Sequence, residues 1–145
     1  MSLAIHFVFV GRIRRPECRA LFDDYASRIR RSAEVRVTEL REPTVSALAR
    51  VKSEPTARWI LLDAAGRQYA SQEFARWLAR FRDRGTRELI FLCGGDIGFP
   101  DSFREREHES LSLSALTMPH ELARVVLAEQ LYRAFAILSH HPYAK

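Results

Sequence analysis

Three stretches of this 145-residue chain hold residues suited to receiving a ligand. They are Gly94, Gly95 and Gly98 in Cys-Gly-Gly-Asp-Ile-Gly, the run Ser114, Ala115, Leu116, Thr117, Met118 and Pro119, and the turn that follows Leu62. Glycines permit positive φ and let a ligand approach main-chain N–H and C=O groups closely. A strand-to-helix connection such as 114–119 presents backbone groups and small side chains at a helix N-terminus, which suits an anion or the polar edge of a base. A plain tight turn and a plain connection remain open readings of these segments. No Gly-Lys-Ser/Thr follows the glycines, and their spacing is not G-x-G-x-x-G, so neither a Walker A loop nor a dinucleotide site is indicated. Further along, Glu129 and Arg133 stand four residues apart, the spacing of a helical surface pair. His141 and Tyr143 fall in the terminal His-His-Pro-Tyr-Ala-Lys, where fraying is the ordinary expectation. The five histidines (6, 108, 120, 140 and 141) include no metal-ligand spacing, and no metal is expected. No G-x-S-x-G elbow supplies a hydrolase nucleophile. Cys18 and Cys93 form no C-x-x-C pair and read as buried thiols.

The elements that would carry these loops can be traced by periodicity. Residues 3–10 (LAIHFVFV) are almost wholly apolar, as befits a strand covered on both faces of a parallel sheet. Pro16 near the start, then Cys18, Leu21, Phe22, Tyr25 and Ile29 at helical spacing, predict a helix with arginines on its outer face. Residues 35–40 alternate as a strand, and Val45, Leu48 and Val51 mark a short helix stopped near Pro55. Residues 59–62 read as a buried strand, 64–69 as a turn around Gly66, and Ser71 as the cap of a helix with Phe74, Trp77, Leu78 and Phe81 inward and Gly85 as its stop. Residues 89–93 form a further buried strand that runs into the glycines, and Asp101 caps a short polar helix. Leu111 and Leu113 suggest a fifth strand. Pro119 opens a last helix whose inner side is Leu122, Val125, Ala128, Leu131, Tyr132, Phe135 and Leu138. Strands alternating with helices predict a three-layer α/β fold with a mostly parallel sheet, in one domain spanning 1–145. In such folds ligands bind beyond the carboxyl ends of the strands, where the loops after Leu62, Cys93 and Leu113 emerge.

Composition narrows the function classes. With 47% hydrophobic, 28% charged and 10% aromatic residues the chain has the makings of a globular core rather than a disordered segment. No apolar run approaches the roughly 20 residues of a membrane span, and no export signal is read at Met1, so a cytoplasmic location without membrane association is expected. The net charge of +5 favours an anionic partner. Up to Arg36, eight arginines (12, 14, 15, 19, 28, 30, 31 and 36) face four acidic residues (17, 23, 24 and 34), so the positive charge is concentrated at the front. Nucleic acid is the partner this placement suggests.

Four segments, VGRIRR, LLDAAG (61–66), CGGDIG (93–98) and the stretch from Leu111 to Tyr143 that contains SALTMPHELAR and LYRAF, together resemble the RlmH family of SPOUT-class methyltransferases. The resemblance spans essentially the whole chain. It implies an α/β-knot fold with a C-terminal trefoil knot, a homodimer, and transfer of a methyl group from S-adenosyl-L-methionine to N3 of a pseudouridine in large-subunit (23S) ribosomal RNA within the ribosome. It places the cofactor on Leu62, Gly94, Gly95, Gly98, Ser114, Ala115, Leu116, Thr117, Met118 and Pro119. It also implies that Arg133 stabilises charge on the acceptor ring and that His141 and Tyr143, in the tail, close over the site. Arg12, Arg14 and Arg15 are expected to position RNA. Many relatives carry a histidine after the tyrosine where this chain has Ala144, so that general base is absent here, and His141, Tyr143 or solvent must serve, or proximity and charge stabilisation suffice. A catalytically silent ribosome-binding module is the alternative, and an enzyme binding nucleotide phosphate at 94–98 is a more distant one.

Overall fold

The hydrophobic pattern of the strands dictates a sheet with two covered faces. In a computed structural model, which describes residues 3–95, 99 and 101–144, five strands form one parallel sheet. β1 (Ala4–Val10) is buried at every residue but its last. Side chains alternate across a strand, so Ile5, Phe7 and Phe9 enter a large core on one face while Val8 enters a smaller core on the other. β4 (Glu88–Cys93) pairs with β1 and divides likewise, with Leu89, Phe91 and Cys93 on the first face and Ile90 and Leu92 on the second. Adding β2 (Val35–Leu40), β3 (Arg58–Arg67) and β5 (Glu109–Leu111) gives the order β2-β1-β4-β3-β5. Because every pairing is parallel, all the carboxyl ends open on one edge.

The large core is closed by three helices. α1 (Pro16–Ile29) begins with Pro16 in its first turn, where the missing N–H costs nothing, and buries Phe22, Ala26 and Ile29. The Phe22 ring meets Phe7 and Phe9 edge-on at 5.0 and 5.2 Å; burial of each ring contributes about 1.5–3 kcal/mol. α3 (Ser71–Asp83) is capped differently from the sequence expectation. Ala70 is the cap and Ser71 is already helical. The Glu73 carboxylate accepts the Ala70 N–H at 2.9 Å, and the Ser71 hydroxyl instead donates to Gln130 at 3.0 Å. Gly85, at φ +84°, ends this helix as expected. α4 (His120–Leu138) packs against both α1 and α3. The opposite face of the sheet is covered more thinly, by α2 (Val45–Ala49) and the 3-10 segment Asp101–Arg106, through the fully buried Leu48 and Phe103. On that face the carboxylate of the buried Glu88 receives His6 Nδ1 at 3.1 Å and Arg36 at 3.0 Å, while Thr38 donates its hydroxyl to His6 Nε2 at 2.7 Å.

Four further expectations are corrected. Residues 64–69 do not form a free turn: β3 runs on to Arg67, and its register with β5 slips between Leu62 and Arg67. Gly66 makes this possible, because a Cβ there would lie 2.7 Å from the backbone carbon of Ser110. Leu113 lies past the end of β5. The inner side of α4 is not the simple stripe read from sequence, since Leu122 is 42% exposed whereas Glu121 and Arg124 are buried. A helix clamped on two flanks and against the sheet has little solvent face to give its charges. The tail is ordered as well. His140 takes φ +58°, His141 N–H donates to the Ala136 carbonyl at 2.8 Å, and the 3-10 turn Pro142–Ala144 folds back on α4. That pattern is a Schellman-type helix end with histidine in the position glycine usually takes.

Candidate functional site

The parallel sheet brings three loops distant in sequence to its carboxyl edge, where they enclose a cavity of about 500 Å³. Leu62, Gly94, Gly95, Ser114, Ala115, Leu116, Thr117 and Met118 all line it, so eight of the ten residues expected to hold a cofactor are gathered there. Pro119 serves as the cap of α4 and is not among the lining residues. Gly98 lies outside the described residues. Neither Gly94 nor Gly95 has a positive φ. The need at Gly94 is space: a Cβ would come within 3.2 Å of the Phe99 ring, which also lines the cavity. Residues 114–118 are irregular. Ser114 accepts the Leu116 N–H at 2.9 Å in a local side-chain turn, and Leu116 stands 80% exposed at the rim.

One turn of α4 builds the floor. Arg124, wholly buried, donates to the carbonyls of Val10 at 2.7 Å, Gly11 at 2.9 Å and Gly94 at 3.2 Å, with its guanidinium over the Phe9 ring at 4.6 Å. The ends of β1 and β4 are thus fixed to one rigid fork. Burial pulls Arg124 below the usual guanidinium value, yet arginine stays charged. Its Nε is the one buried side-chain nitrogen or oxygen without a partner among the described residues. Glu121, one turn earlier, accepts the N–H groups of Arg14 at 3.0 Å and Arg15 at 2.9 Å, and these bonds hold its carboxyl below the ordinary range. The loop after β1 is therefore latched by its backbone and by the buried Ile13, leaving Arg12, Arg14 and Arg15 exposed. Sequence reasoning missed both Glu121 and Arg124. Charge on a helix ordinarily marks its solvent face, and nothing in their spacing says otherwise.

The cavity wall beside β3 carries an ion pair. Arg104 Nη2 donates to Asp63 Oδ2 at 2.6 Å, while Asp63 Oδ1 accepts the Ala65 N–H at 3.0 Å. That backbone bond and the guanidinium together hold the Asp63 carboxyl below its usual value. Both residues line the cavity. The thiol of Cys93, also in the lining, is pushed up to about 12 by burial and is no nucleophile at neutral pH.

Arg133, His141 and Tyr143 are brought together, but elsewhere. Arg133 Nη2 donates to Glu129 Oε2 at 2.7 Å, and the Tyr143 hydroxyl donates to the same oxygen at 2.7 Å. The Arg133 guanidinium also lies 5.2 Å from the centre of the Tyr143 ring, which meets the Tyr132 ring at a tilt with centroids 4.5 Å apart. His141 is exposed and accepts the Tyr143 N–H at 3.2 Å. Burial first, then the bond to Glu129, pushes the Tyr143 phenol upward, so it keeps its proton. From Ala123 at the cavity to Arg133 is ten helical residues, about 15 Å at 1.5 Å each. None of the three lines the cavity of its own chain. Among the described residues no group of three or more His, Cys, Asp and Glu side chains gathers as a metal site would require.

Comparison with known proteins gives concordant results. Residues 3–144 match a family model described as "Predicted SPOUT methyltransferase". Ribosomal RNA large subunit methyltransferase H of Geobacter sulfurreducens is 37% identical, covering 97% of this chain and 99% of the relative. The protein of that name from Solibacter usitatus is 38% identical, with coverage of 99% and 100%. A solved structure of a probable methylase family protein from Haemophilus influenzae superimposes with a TM-score of 0.61 over 97% of this chain and 70% of that one. At 14% identity that likeness speaks for the fold alone.

Proposed function

Because the chain belongs to the SPOUT methyltransferase family, we propose that it methylates large-subunit ribosomal RNA with S-adenosyl-L-methionine as the donor. The finer reading is N3 of a pseudouridine, within the ribosome and in the cytoplasm. The observation that carries it is the cavity itself, assembled from loops 62–64, 93–95 and 111–118 at the carboxyl edge of the sheet. Its volume of about 500 Å³ falls within the range of about 300–1,000 Å³ typical of small-molecule pockets. Its lining also fits the donor: main-chain groups of the glycine loop and of 114–118 for the adenine edge, apolar Leu62, Leu116 and Met118 for its faces, and a charged pair at one wall. Bound there, the donor supplies an electrophilic methyl group on a sulfonium.

What the chain's own residues do follows from their placement. Arg124 fixes the carbonyls of Val10, Gly11 and Gly94, so the loops need little rearrangement when the ligand enters. Arg12, Arg14 and Arg15 project from a latched backbone and take RNA phosphates, an interaction that weakens as salt rises. N3 must lose its proton as the methyl arrives, and the ring anion formed on the way spreads its charge onto the carbonyl oxygens until methyl transfer neutralises it. Arg133, permanently cationic, is the group that stabilises this charge. Tyr143 keeps its proton and is therefore no base; it straps the tail to Glu129. Proton loss falls to His141 or to solvent.

The 15 Å between cavity and Arg133 supports a reading in which the two belong to different copies. In a homodimer the tail and Arg133 of one protomer complete the cavity of the other. The C-terminal part of the chain is threaded as a trefoil knot, as the family's fold implies. Incubation with methyl-labelled donor and ribosomes lacking this modification, followed by mapping of the labelled nucleotide, tests the proposal. Label at a large-subunit pseudouridine is expected, and no incorporation into ribosomal RNA refutes it.

A further inference from the structure

The ion pair on the cavity wall has so far been matched to no particular group of the donor. Asp63 and Arg104 are the only Asp, Glu, Lys or Arg side chains lining the cavity among the described residues; the rest of the lining is small, apolar or hydroxyl-bearing, apart from His120. A carboxylate or ammonium moved into such surroundings loses hydration and needs an opposite charge in hydrogen-bonding reach. Arg104 gives one of its five N–H donors to Asp63, stands 3.6 Å from a Glu107 oxygen through Nη1 and remains 50% exposed, so other donors are available. Asp63 accepts one bond on each oxygen, and each oxygen retains a second lone pair. The pair is anchored to β3 by the Ala65 N–H, which gives it a fixed position relative to the glycine loop.

We propose that Asp63 and Arg104 form the subsite for the amino-acid end of the donor, Arg104 taking the α-carboxylate and Asp63 the α-ammonium. The assignment rests on the reading of the cavity as a donor site and orients its occupant. The zwitterionic end meets β3 and the 3-10 segment, while the neutral adenine goes to the backbone groups of 114–118. Specificity for a donor bearing an intact amino acid then comes from this pair and not from the loops.

Calorimetry with two probes tests it. S-adenosylhomocysteine carries the amino-acid end, and 5′-methylthioadenosine shares the nucleoside but lacks that end. Wild-type protein is expected to bind S-adenosylhomocysteine more tightly, and Arg104→Gln to weaken it by tenfold or more while changing methylthioadenosine less than twofold. Arg104→Lys should restore part of the preference. Equal losses for both probes would make Arg104 a latch between β3 and the 3-10 segment and overturn the subsite, as would no loss for either. Failure of wild-type protein to bind either probe would instead refute the donor site itself, which separates the two claims.

Discussion

The two ends of α4 solve different problems. Its first turns sit under the cavity, where Glu121 and Arg124 are buried and spend their charge on backbone groups of loops from β1 and β4. Its last turns carry Glu129, Arg133 and the folded-back Tyr143, partly exposed and satisfied by one another. The first end is complete within one chain: burial fixes the fork of Arg124 and the fork fixes the loops. The second offers a preassembled cationic and aromatic surface that does not line the cavity. Preorganisation by burial suits a small ligand that must be enclosed, whereas an RNA loop needs an accessible surface brought up to it.

That contrast predicts how each end breaks. Arg124→Met, of similar length but without donors, would leave three carbonyls unsatisfied, each at roughly 1–3 kcal/mol. A stability loss of about 3 kcal/mol or more is expected from chemical denaturation; a loss below about 1 kcal/mol would show that the loops hold themselves. At the other end Arg133→Ala should leave the fold and donor affinity intact yet lower single-turnover methylation roughly a hundredfold, the scale of one preorganised charge. A normal rate would reduce Arg133–Glu129 to a surface salt bridge. Gly94→Val sharpens the first half of the comparison. Its branched side chain must displace the Phe99 ring in the cavity wall, so donor binding should weaken by tenfold or more, about 1.4 kcal/mol. Unchanged affinity in the folded variant would move the pocket elsewhere.

The smallest effect lies away from both ends. Burial is the main cause that lowers His6 and His108, with Glu88 opposing and Arg36 adding at His6, and with Arg58 adding and Glu109 opposing at His108. Each ring is held neutral by a bond its nitrogen accepts, from the Thr38 hydroxyl and the Trp59 N–H. The unfolded chain therefore takes up these protons first. Their contribution is fully present above about pH 6.5 and is lost as pH falls through that value toward the folded ones. Denaturation at about pH 7.5, 6 and 5 should show declining stability, with a shallower decline for His108→Asn. A flat profile in wild-type protein would contradict the assignment.

Much of this was legible from residue order, for physical reasons that differ by element. β1 and β4 are doubly buried and nearly continuous in apolar residues, Pro16 has its φ fixed at a helical value, and Gly85 suits the positive φ that ends a helix. The cavity loops follow once the strands are parallel, because every carboxyl end then shares an edge. Glu121 and Arg124 were not legible, since their partners lie 30 to 114 residues away and are backbone atoms without side-chain identity. Gly66 was read as a turn because the close approach of β5, which excludes its side chain, is a tertiary fact. The ordered tail depends on His140 accepting a left-handed conformation and on Tyr143 reaching Glu129. The separation of cavity from Arg133 is likewise invisible until α4 is seen to run unbroken from His120 to Leu138.

The central claim is that one copy's cavity works with the other copy's Arg133. Mixing unfolded Gly94→Val and Arg133→Ala proteins and refolding them together tests it directly. In a mixed dimer one site then carries both lesions and the other carries neither. Random pairing makes half the dimers mixed, so with donor held below the wild-type Kd, where Gly94→Val runs at about a tenth of the wild-type rate or less and Arg133→Ala at about a hundredth, about a quarter of wild-type methylation should return. Activity in the mixture no higher than the mean of the two separate variants would place cavity and Arg133 in the same chain's site and contradict the account.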